Sequence, residues 1–217
     1  MSYQEMKYIY QPANFPTGYT LLLLHGTGSN ESDMLPIGRE LGFGMNILSL
    51  RGNVNENGML RFFKRVSMGI FDEADLRFRT DEMLQSIKRI SGKEGFDTNK
   101  IIALGYSNGA NIAGSTLLMY PDFFAGAILF RPMQPYINPA AFSNAMRTPI
   151  LMTNGIYDTT IEPEATKQYV QLLTNAGFDV AAYSLPTGHG LNQEDLRLAQ
   201  QWINVHFKIQ TNIESAY

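Results

Sequence analysis

The sequence predicts an α/β fold in which a mostly parallel central sheet is covered by helices on both faces. Short apolar runs of strand length alternate along the chain with amphipathic stretches of helical period, an alternation typical of consecutive β-α-β units. The chain of 217 residues has the length of one large α/β domain, and we see no repeat, low-complexity tract or linker in it. We therefore expect a single domain over residues 1–217.

The first predicted elements are an early strand at residues 7–10 and a central strand at residues 19–24. The second of these is a continuous apolar run, which indicates a strand buried on both faces of the sheet. Ser32 is placed to cap a helix that runs to about Leu41. The remaining predicted elements of this half are a strand at residues 46–50 and a helix at residues 73–91.

Residues 51–70 lack a regular period, and the sequence predicts a long irregular loop there. Its first part is rich in glycine and asparagine, and its second part carries Met59, Phe62 and Phe63. Long loops with aromatic side chains are often binding loops or lids, so these three residues are predicted to line a substrate pocket. The alternative, which the sequence leaves open, is that the aromatic side chains pack on the adjacent helices.

The second half of the chain continues the alternation of strands and helices. An apolar run that begins at Ile101 predicts a strand, and the helical pattern that follows it ends at Pro121. Proline residues interrupt the later loop that carries Met133, which we add to the predicted pocket. The other predicted elements are strands at residues 125–130, 150–153 and 180–185 and helices at residues 139–146, 162–175 and 192–207.

The junction between the strand at Ile101 and its helix has the sequence Gly-Tyr-Ser-Asn-Gly, centred on Ser107. A strand, a Gly-x-Ser-x-Gly sequence and a helix in this order are the context of a nucleophile elbow, a sharp turn that exposes the serine hydroxyl above the sheet. The glycines are needed because a side chain at either position would collide with neighbouring backbone. The helix directs free N–H groups and its positive dipole end at an oxyanion formed on the serine's substrate. We therefore predict Ser107 as a nucleophile.

A serine nucleophile needs a base, and the sequence contains three histidines. His206 lies in the closing amphipathic helix, where a structural or exposed role is expected. His25 precedes a Gly-Thr-Gly sequence at the end of the central strand, a place that supplies oxyanion donors. His189 lies between the last strand and the last helix, at the edge of the sheet where the elbow also emerges, and it is the predicted base.

The base in turn needs a carboxylate that fixes its tautomer and stabilises the imidazolium. Asp158 follows a predicted strand and lies at the same edge of the sheet. Glu162 and Glu164 are the competing acids, but they suit the first turn of the next helix, where carboxylates interact favourably with the dipole. We predict Asp158, and the chain order of Ser107, Asp158 and His189 is that of α/β-hydrolases.

Composition excludes several other classes of function. Lysine and arginine number 17 against 20 aspartate and glutamate residues, and the net charge of -3 gives no reason to expect nucleic acid or an anionic membrane as partner. Cysteine is absent, which excludes disulfides, a thiol nucleophile and thiolate metal sites. The histidines lack a metal-binding spacing, so no metal or cofactor is expected. No secretory pattern or membrane-length apolar run is present, and we expect a cytoplasmic protein.

Four motifs occur in order along the chain: His25-Gly26-Thr27-Gly28, Gly105-Tyr106-Ser107-Asn108-Gly109, Gly155-Ile156-Tyr157-Asp158 and Gly188-His189-Gly190. Together they resemble the phospholipase/carboxylesterase branch of the α/β-hydrolase superfamily, which also contains acyl-protein thioesterases. Within that branch, residues 56–65 and 106–113 are similar to bacterial hydrolases associated with resistance to methylhydroquinone and catechol. The chain departs from the pattern after Asp158, where many relatives have a small apolar residue and a proline but this chain continues Thr-Thr-Ile-Glu-Pro.

The resemblance implies the outline of a mechanism that the residues also support. Ser107 would attack an ester or thioester carbonyl after His189 removes its proton, and the backbone N–H groups of Thr27 and Asn108 would stabilise the oxyanion. If only backbone groups are used there, Asn108→Ala is expected to have little effect. The expected partner is a small-molecule ester, and the oligomeric state is left open, with a homodimer as one arrangement.

Three functions remain open from the sequence. The first is a serine esterase that acts on small or medium acyl esters. The second is a thioesterase, or a hydrolase of a lactone-like product derived from a quinone or catechol, for which the same triad would serve. The third is a binding protein that has lost the chemistry, although the presence of Ser107, Asp158 and His189 together argues against it.

Overall fold

A computed structural model of the chain describes residues 3–14, 17–67, 69–137 and 147–209, so the predicted helix at residues 139–146 lies outside the described residues. The strands are β1 (Tyr8–Gln11), β2 (Thr20–Leu24), β3 (Asn46–Leu50), β4 (Val54–Glu56), β5 (Met59–Arg61), β6 (Arg65–Ser67), β7 (Ile70–Phe71), β8 (Ile101–Tyr106), β9 (Gly126–Phe130), β10 (Pro149–Gly155) and β11 (Asp179–Leu185). The α-helices are α1 (Leu35–Leu41), α2 (Glu73–Glu94), α3 (Asn108–Met119), α4 (Pro163–Asn175) and α5 (Gln193–Phe207).

Seven of the strands in the described part form one sheet, in the order β1-β3-β2-β8-β9-β10-β11. The edge strand β1 is antiparallel to β3, and the other neighbours are parallel. Parallel neighbours need a crossover connection, and the helices between them supply it on the faces of the sheet. No helix in the described ranges combines the length and the hydropathy needed to span a bilayer.

Successive residues of β2 face opposite sides of the sheet, as the pleat of a strand requires. Leu22 and Leu24 pack in a core with residues of α2, α3 and α4, whereas Leu21 and Leu23 pack in a second core with residues of α1 and α5. Every residue of β2 is buried, as predicted for a central strand. The expected architecture, a mostly parallel sheet with helices on both faces, is therefore confirmed.

The segment at residues 51–70 is more regular than the sequence analysis predicts. Its described residues include two antiparallel hairpins, β4 paired with β5 and β6 paired with β7. The turn of the first hairpin is Asn57-Gly58, and both residues have positive φ, 53° and 90°. Asn-Gly is the strongest sequence signal for a two-residue hairpin turn, because both residues tolerate the left-handed conformation that matches the strand twist. The prediction of an irregular loop is wrong here.

The first helix begins later than predicted. α1 starts at Leu35, and Pro36 lies in its first turn, where the missing N–H of proline costs no hydrogen bond. Ser32 therefore does not cap the helix: residues 31–34 form a turn, and the Asn30 side chain accepts the Ser32 N–H at 2.8 Å. The Ser32 N–H is thus bonded within a turn that lies outside the helix, and the helix begins only after that turn.

Candidate active site

Ser107 occupies a strained turn between β8 and α3. Its backbone lies at φ 51° and ψ -112°, a region that non-glycine residues rarely adopt and that is found mainly at functional sites. A Cβ atom at Gly109 would lie 2.0 Å from the Leu24 carbonyl oxygen, and one at Gly105 would lie 2.5 Å from the Gly109 carbonyl oxygen. The two glycines are thus required by the close approach of β2, β8 and α3, as the elbow predicts.

Three side chains meet at one edge of the sheet. Ser107 directly follows β8, Asp158 follows β10 and His189 follows β11, and these parallel strands end at the same edge. His189 Nε2 lies 3.0 Å from Ser107 Oγ, and His189 Nδ1 lies 2.7 Å from Asp158 Oδ2. A carboxylate only accepts hydrogen bonds, so Nδ1 carries the proton and Nε2 accepts the serine hydroxyl. The structure brings the three predicted residues together in the expected order.

The Asp158 carboxyl is held in its ionised form. Burial raises its pKa, but hydrogen bonds from His189 and from the Thr160 backbone outweigh this effect, so the pKa lies below its ordinary value. The Thr160 N–H donates to Asp158 Oδ1 at 2.8 Å, a bond that orders the start of the Thr-Thr-Ile-Glu-Pro loop. Of the two competing acids, Glu164 lies in the first turn of α4 as predicted, and Glu162 lies one position before the helix, at its N-cap, without a side-chain capping bond.

The segment predicted to carry oxyanion donors lies against the elbow. A Cβ atom at Gly26 would lie 2.9 Å from the ring of Tyr106, the residue before Ser107. Asn108 opens α3, and the first N–H groups of a helix have no partner within it. The Thr27 hydroxyl accepts from Arg61 Nη1 at 2.8 Å, and the Gly28 N–H donates to the Leu60 carbonyl at 2.9 Å. The β4–β5 hairpin therefore holds this segment in place.

The Asn108 side chain has a role that the sequence analysis missed. Asn108 is buried, and its Oδ1 accepts the backbone N–H of Phe62 at 2.7 Å, which ties the first turn of α3 to the segment after β5. No local sequence pattern predicts this bond, because its two residues are 46 positions apart. The expectation that Asn108→Ala has little effect considers only the backbone N–H, and the side-chain bond contradicts its premise.

Replacing Asn108 by alanine is expected to lower the free energy of unfolding by about 1–3 kcal/mol, because the Phe62 N–H would remain buried without an acceptor. Urea unfolding of wild type and variant measures the difference. Asn175→Ala, an exposed asparagine at the end of α4, is the matched control and is expected to change the free energy by less than about 0.5 kcal/mol. Equal effects of the two substitutions would contradict the assigned role of the Asn108 side chain.

The four residues predicted to line a pocket divide into two groups. Phe62 and Phe63 are 1% and 0% exposed, and their rings pack against those of His25 and Phe71. The structure thus places both phenylalanines in the core rather than on a surface that substrate reaches, which corrects their assignment and favours the packing alternative. Met59 is 40% exposed on the hairpin beside the predicted oxyanion segment, and Met133 is partly exposed.

His25 is a buried neutral histidine rather than a second base. Its Nδ1 lies 2.7 Å from the Gly26 carbonyl, so that nitrogen donates, and its Nε2 accepts the Gly52 N–H at 3.0 Å. The bond from Gly52 requires a neutral ring with an unprotonated Nε2. Burial lowers the pKa of His25 below its ordinary value in spite of the raising effect of the Gly26 carbonyl. The histidine thereby joins the predicted oxyanion segment to the chain that follows β3.

We expect His25 to make stability depend on pH. The unfolded chain takes up a proton at His25 as the pH falls through about 6.5, whereas the folded protein does so only at lower pH. The free energy of unfolding therefore decreases as the pH is lowered from about 6.5. Urea unfolding between about pH 8 and about pH 5 measures the slope for wild type and for His25→Gln, in which this proton uptake is absent. Identical slopes in the two proteins would show that His25 does not contribute.

In the described ranges, no three histidine, aspartate or glutamate side chains converge as metal ligands. The groups that meet at the end of β8 are a hydroxyl, an imidazole, an ionised carboxylate and the N–H groups at the start of α3. Such an arrangement suits nucleophilic attack on an acyl carbon.

A parallel sheet with an elbow serine, a histidine and an aspartate at the carboxyl ends of its strands defines the class of α/β-hydrolases. The chain belongs to the phospholipase/carboxylesterase family, whose model matches residues 6–207. The protein MhqD of Bacillus subtilis (strain 168) is 41% identical over 197 residues, which are 91% of this chain and 97% of MhqD.

Solved structures agree with this assignment. The carboxylesterase of Bacillus cereus has a TM-score of 0.90 and 38% identity, over 93% of this chain and 94% of that chain. A carboxylesterase from Mesorhizobium loti has a TM-score of 0.85 and 27% identity, over 91% of this chain and 94% of that chain. The protein is thus a hydrolase of the carboxylesterase type in fold and family.

Proposed function

We propose that the protein is a serine carboxylesterase that cleaves small or medium carboxylic esters through an acyl-enzyme intermediate. The observation that carries this proposal is the hydrogen-bonded chain from Ser107 Oγ through His189 to Asp158, with distances of 3.0 and 2.7 Å. In this arrangement an imidazole can remove the proton of a serine, while a carboxylate orients the imidazole.

In the proposed first step, Ser107 Oγ attacks the ester carbonyl carbon and His189 Nε2 takes the hydroxyl proton. The imidazolium that forms is stabilised by Asp158, whose lowered pKa keeps it ionised. The bond between the carbonyl carbon and the leaving oxygen then breaks, His189 gives its proton to that oxygen, and the alcohol departs while the acyl group stays on Ser107. Water then takes the place of the alcohol, and His189 removes its proton as it attacks the acyl carbon. Breakdown of the tetrahedral intermediate releases the carboxylic acid and restores Ser107.

The negative charge on the carbonyl oxygen needs donors fixed in advance. We assign this role to the backbone N–H groups of Asn108, at the positive end of α3, and of Thr27, in the segment tied to the β4–β5 hairpin. Each such donor contributes about 3 kcal/mol to transition-state stabilisation in serine hydrolases. Because both donors are backbone groups, their position depends on the packing of β2 against α3.

The family and the accessible side chains support the proposed substrate class. The similar proteins of Bacillus cereus and Mesorhizobium loti are both named as carboxylesterases. Met59, on the hairpin next to Gly28, offers an unbranched apolar side chain of the kind that adapts to acyl groups of different shape. We assign Met59 and Met133 to the wall that contacts the acyl group.

The test is the rate of hydrolysis of p-nitrophenyl esters from acetate to decanoate by wild type and by Ser107→Ala. Turnover that depends on Ser107 and has an optimum in chain length would support the esterase and measure the acyl pocket. An acyl thioester assayed in parallel separates ester from thioester preference, since the same triad serves both. No serine-dependent turnover of any ester, with no labelling of Ser107 by a fluorophosphonate, would overturn the proposal.

A further inference from the structure

The loop that carries His189 is held by its carbonyl groups. The Thr187 carbonyl accepts the Tyr157 N–H at 3.0 Å, and the His189 carbonyl accepts the Tyr106 hydroxyl at 3.2 Å. The carbonyls on either side of His189, those of Gly188 and Gly190, both accept from Arg131. Four consecutive carbonyls thus have donors from outside the loop, and one side chain serves the two that flank the histidine.

Arg131 uses all five of its N–H donors. Its Nε donates to the Gly188 carbonyl at 3.3 Å, and Nη2 donates to the Gly190 carbonyl at 2.9 Å and to Asp195 Oδ2 at 2.8 Å. Nη1 donates to Asp195 Oδ1 and to the Thr153 hydroxyl, both at 2.8 Å. A guanidinium has five donors in a fixed plane, so this site is built for arginine and leaves none of them unused.

The surroundings show that Arg131 is fixed rather than adaptable. Its side chain and that of Asp195 are both 0% exposed, and its backbone lies at φ 54° directly after β9. Asp195 also accepts the Asn192 N–H at 2.9 Å within the capping box that begins α5. The guanidinium therefore joins the end of β9, the strand β10 and the start of α5 to the loop between them.

We propose that Arg131 is a positioning residue for the reaction: it fixes the backbone on both sides of His189 and so sets the imidazole between Ser107 and Asp158. This inference rests on the proposed function. His189 itself is 31% exposed in its side chain, so packing around the ring covers only part of it. The contacts of Arg131 to Gly188 and Gly190 fix the backbone on both sides of the histidine, beside the bonds that Tyr157 and Tyr106 make to the neighbouring carbonyls. Glycine is otherwise the residue with the greatest backbone freedom.

Stability and positioning are separable at this site. Removal of Arg131 alone leaves the Asp195 charge buried without its partner, which is destabilising. Removal of both charges in favour of apolar side chains of similar volume is often neutral or stabilising. The double variant Arg131→Met/Asp195→Leu therefore leaves no unpaired charge but lacks any donor to the Gly188 and Gly190 carbonyls, and it also loses the Asp195 acceptor of the Asn192 N–H. Arg131→Lys keeps Asp195 and this capping bond, so it separates the two losses.

The experiment compares wild type, Arg131→Met, Arg131→Lys and the double variant. It measures kcat and KM for the best p-nitrophenyl ester, together with the midpoint of thermal unfolding. Arg79→Met is the matched control, because Arg79 on α2 forms an ion pair with buried Glu82 at 2.7 Å and no contact with the His189 loop. Wild type against Ser107→Ala establishes first that the turnover depends on the serine.

We expect kcat of the double variant to fall about 100-fold, the size of effect seen when a catalytic group is misplaced by about 1 Å. Its KM should stay within about threefold, since substrate contacts are unchanged. Arg131→Lys, with three donors in place of five, should lose kcat as well, whereas Arg79→Met should lower the unfolding midpoint and leave kcat unchanged. If Arg131→Met fails to fold, the double variant and Arg131→Lys provide the comparison.

A double variant with wild-type kcat would overturn the inference, because the arginine would then matter only for folding. A loss of kcat in Arg131→Met that the double variant recovers together with the unfolding midpoint would overturn it in the same way. Failure of the proposed function is distinguishable from both results, since wild type and Ser107→Ala would then show the same rate.

Discussion

Replacing Ser107 by alanine is expected to lower kcat for a p-nitrophenyl ester about a million-fold, as is found when one member of a serine triad is removed. The alanine keeps the Cβ atom, so the strain at φ 51° is unchanged and the fold is expected to persist. His189 would lose the hydroxyl that it is placed to deprotonate, and no covalent intermediate could form. Steady-state rates and mass spectrometry after fluorophosphonate treatment measure the two effects.

The control for this substitution is Ser184→Ala, at an exposed position of β11. It removes a serine hydroxyl from the same sheet without touching the site, and wild-type kcat and labelling are expected. Residual activity of Ser107→Ala above about 1% of wild type would contradict the assignment of the nucleophile, because triad members act as a unit.

Replacing Asp158 by asparagine is expected to lower kcat about ten-thousand-fold while leaving the structure intact. The amide has no charge to stabilise the imidazolium, and its NH₂ group favours the tautomer with the proton on Nε2, which cannot accept from Ser107. The substitution also removes the ionised Asp158 carboxylate, whose pKa is lowered by the hydrogen bond from His189. The measurement is kcat over a pH series, with the unfolding midpoint as a check on folding.

Glu162→Gln is the matched control, since Glu162 lies after the same strand but serves as the N-cap of α4. It is expected to retain kcat within about threefold of wild type, because it removes no group in contact with the reacting atoms. Near-normal activity of Asp158→Asn combined with a large loss in Glu162→Gln would reassign the acid.

The arrangement of the site follows from features that are local in the sequence. The apolar runs before Ser107, Asp158 and His189 predict strands, and alternation with helices predicts that the strands are parallel. Parallel strands end at one edge, so residues that immediately follow them converge there, as these three do at 3.0 and 2.7 Å. Local sequence alone is therefore sufficient to predict that these three residues meet.

The supporting contacts could not be predicted in this way because they depend on packing between distant segments. Asn108 meets Phe62 across 46 positions, and Arg131 meets Asp195 across 64. A buried arginine has the same sequence appearance as a solvated one, and the burial of Phe62 and Phe63 depends on how the β4–β5 hairpin packs. The Asn57-Gly58 pair was the available local signal, and it predicts the hairpin correctly.

The β4–β5 hairpin carries Met59 and also holds the segment after β2 in place. Met59 belongs to the strand whose next residue, Leu60, accepts the Gly28 N–H, and Arg61 holds the Thr27 hydroxyl. Replacing the whole hairpin by that of a relative, in order to change the acyl preference, would therefore also shift the Thr27 N–H that is proposed to stabilise the oxyanion. Under the proposed assignment of Met59 to the acyl wall, selectivity and turnover both depend on this segment, and a side-chain exchange at Met59 that preserves the strand pairing would change selectivity alone.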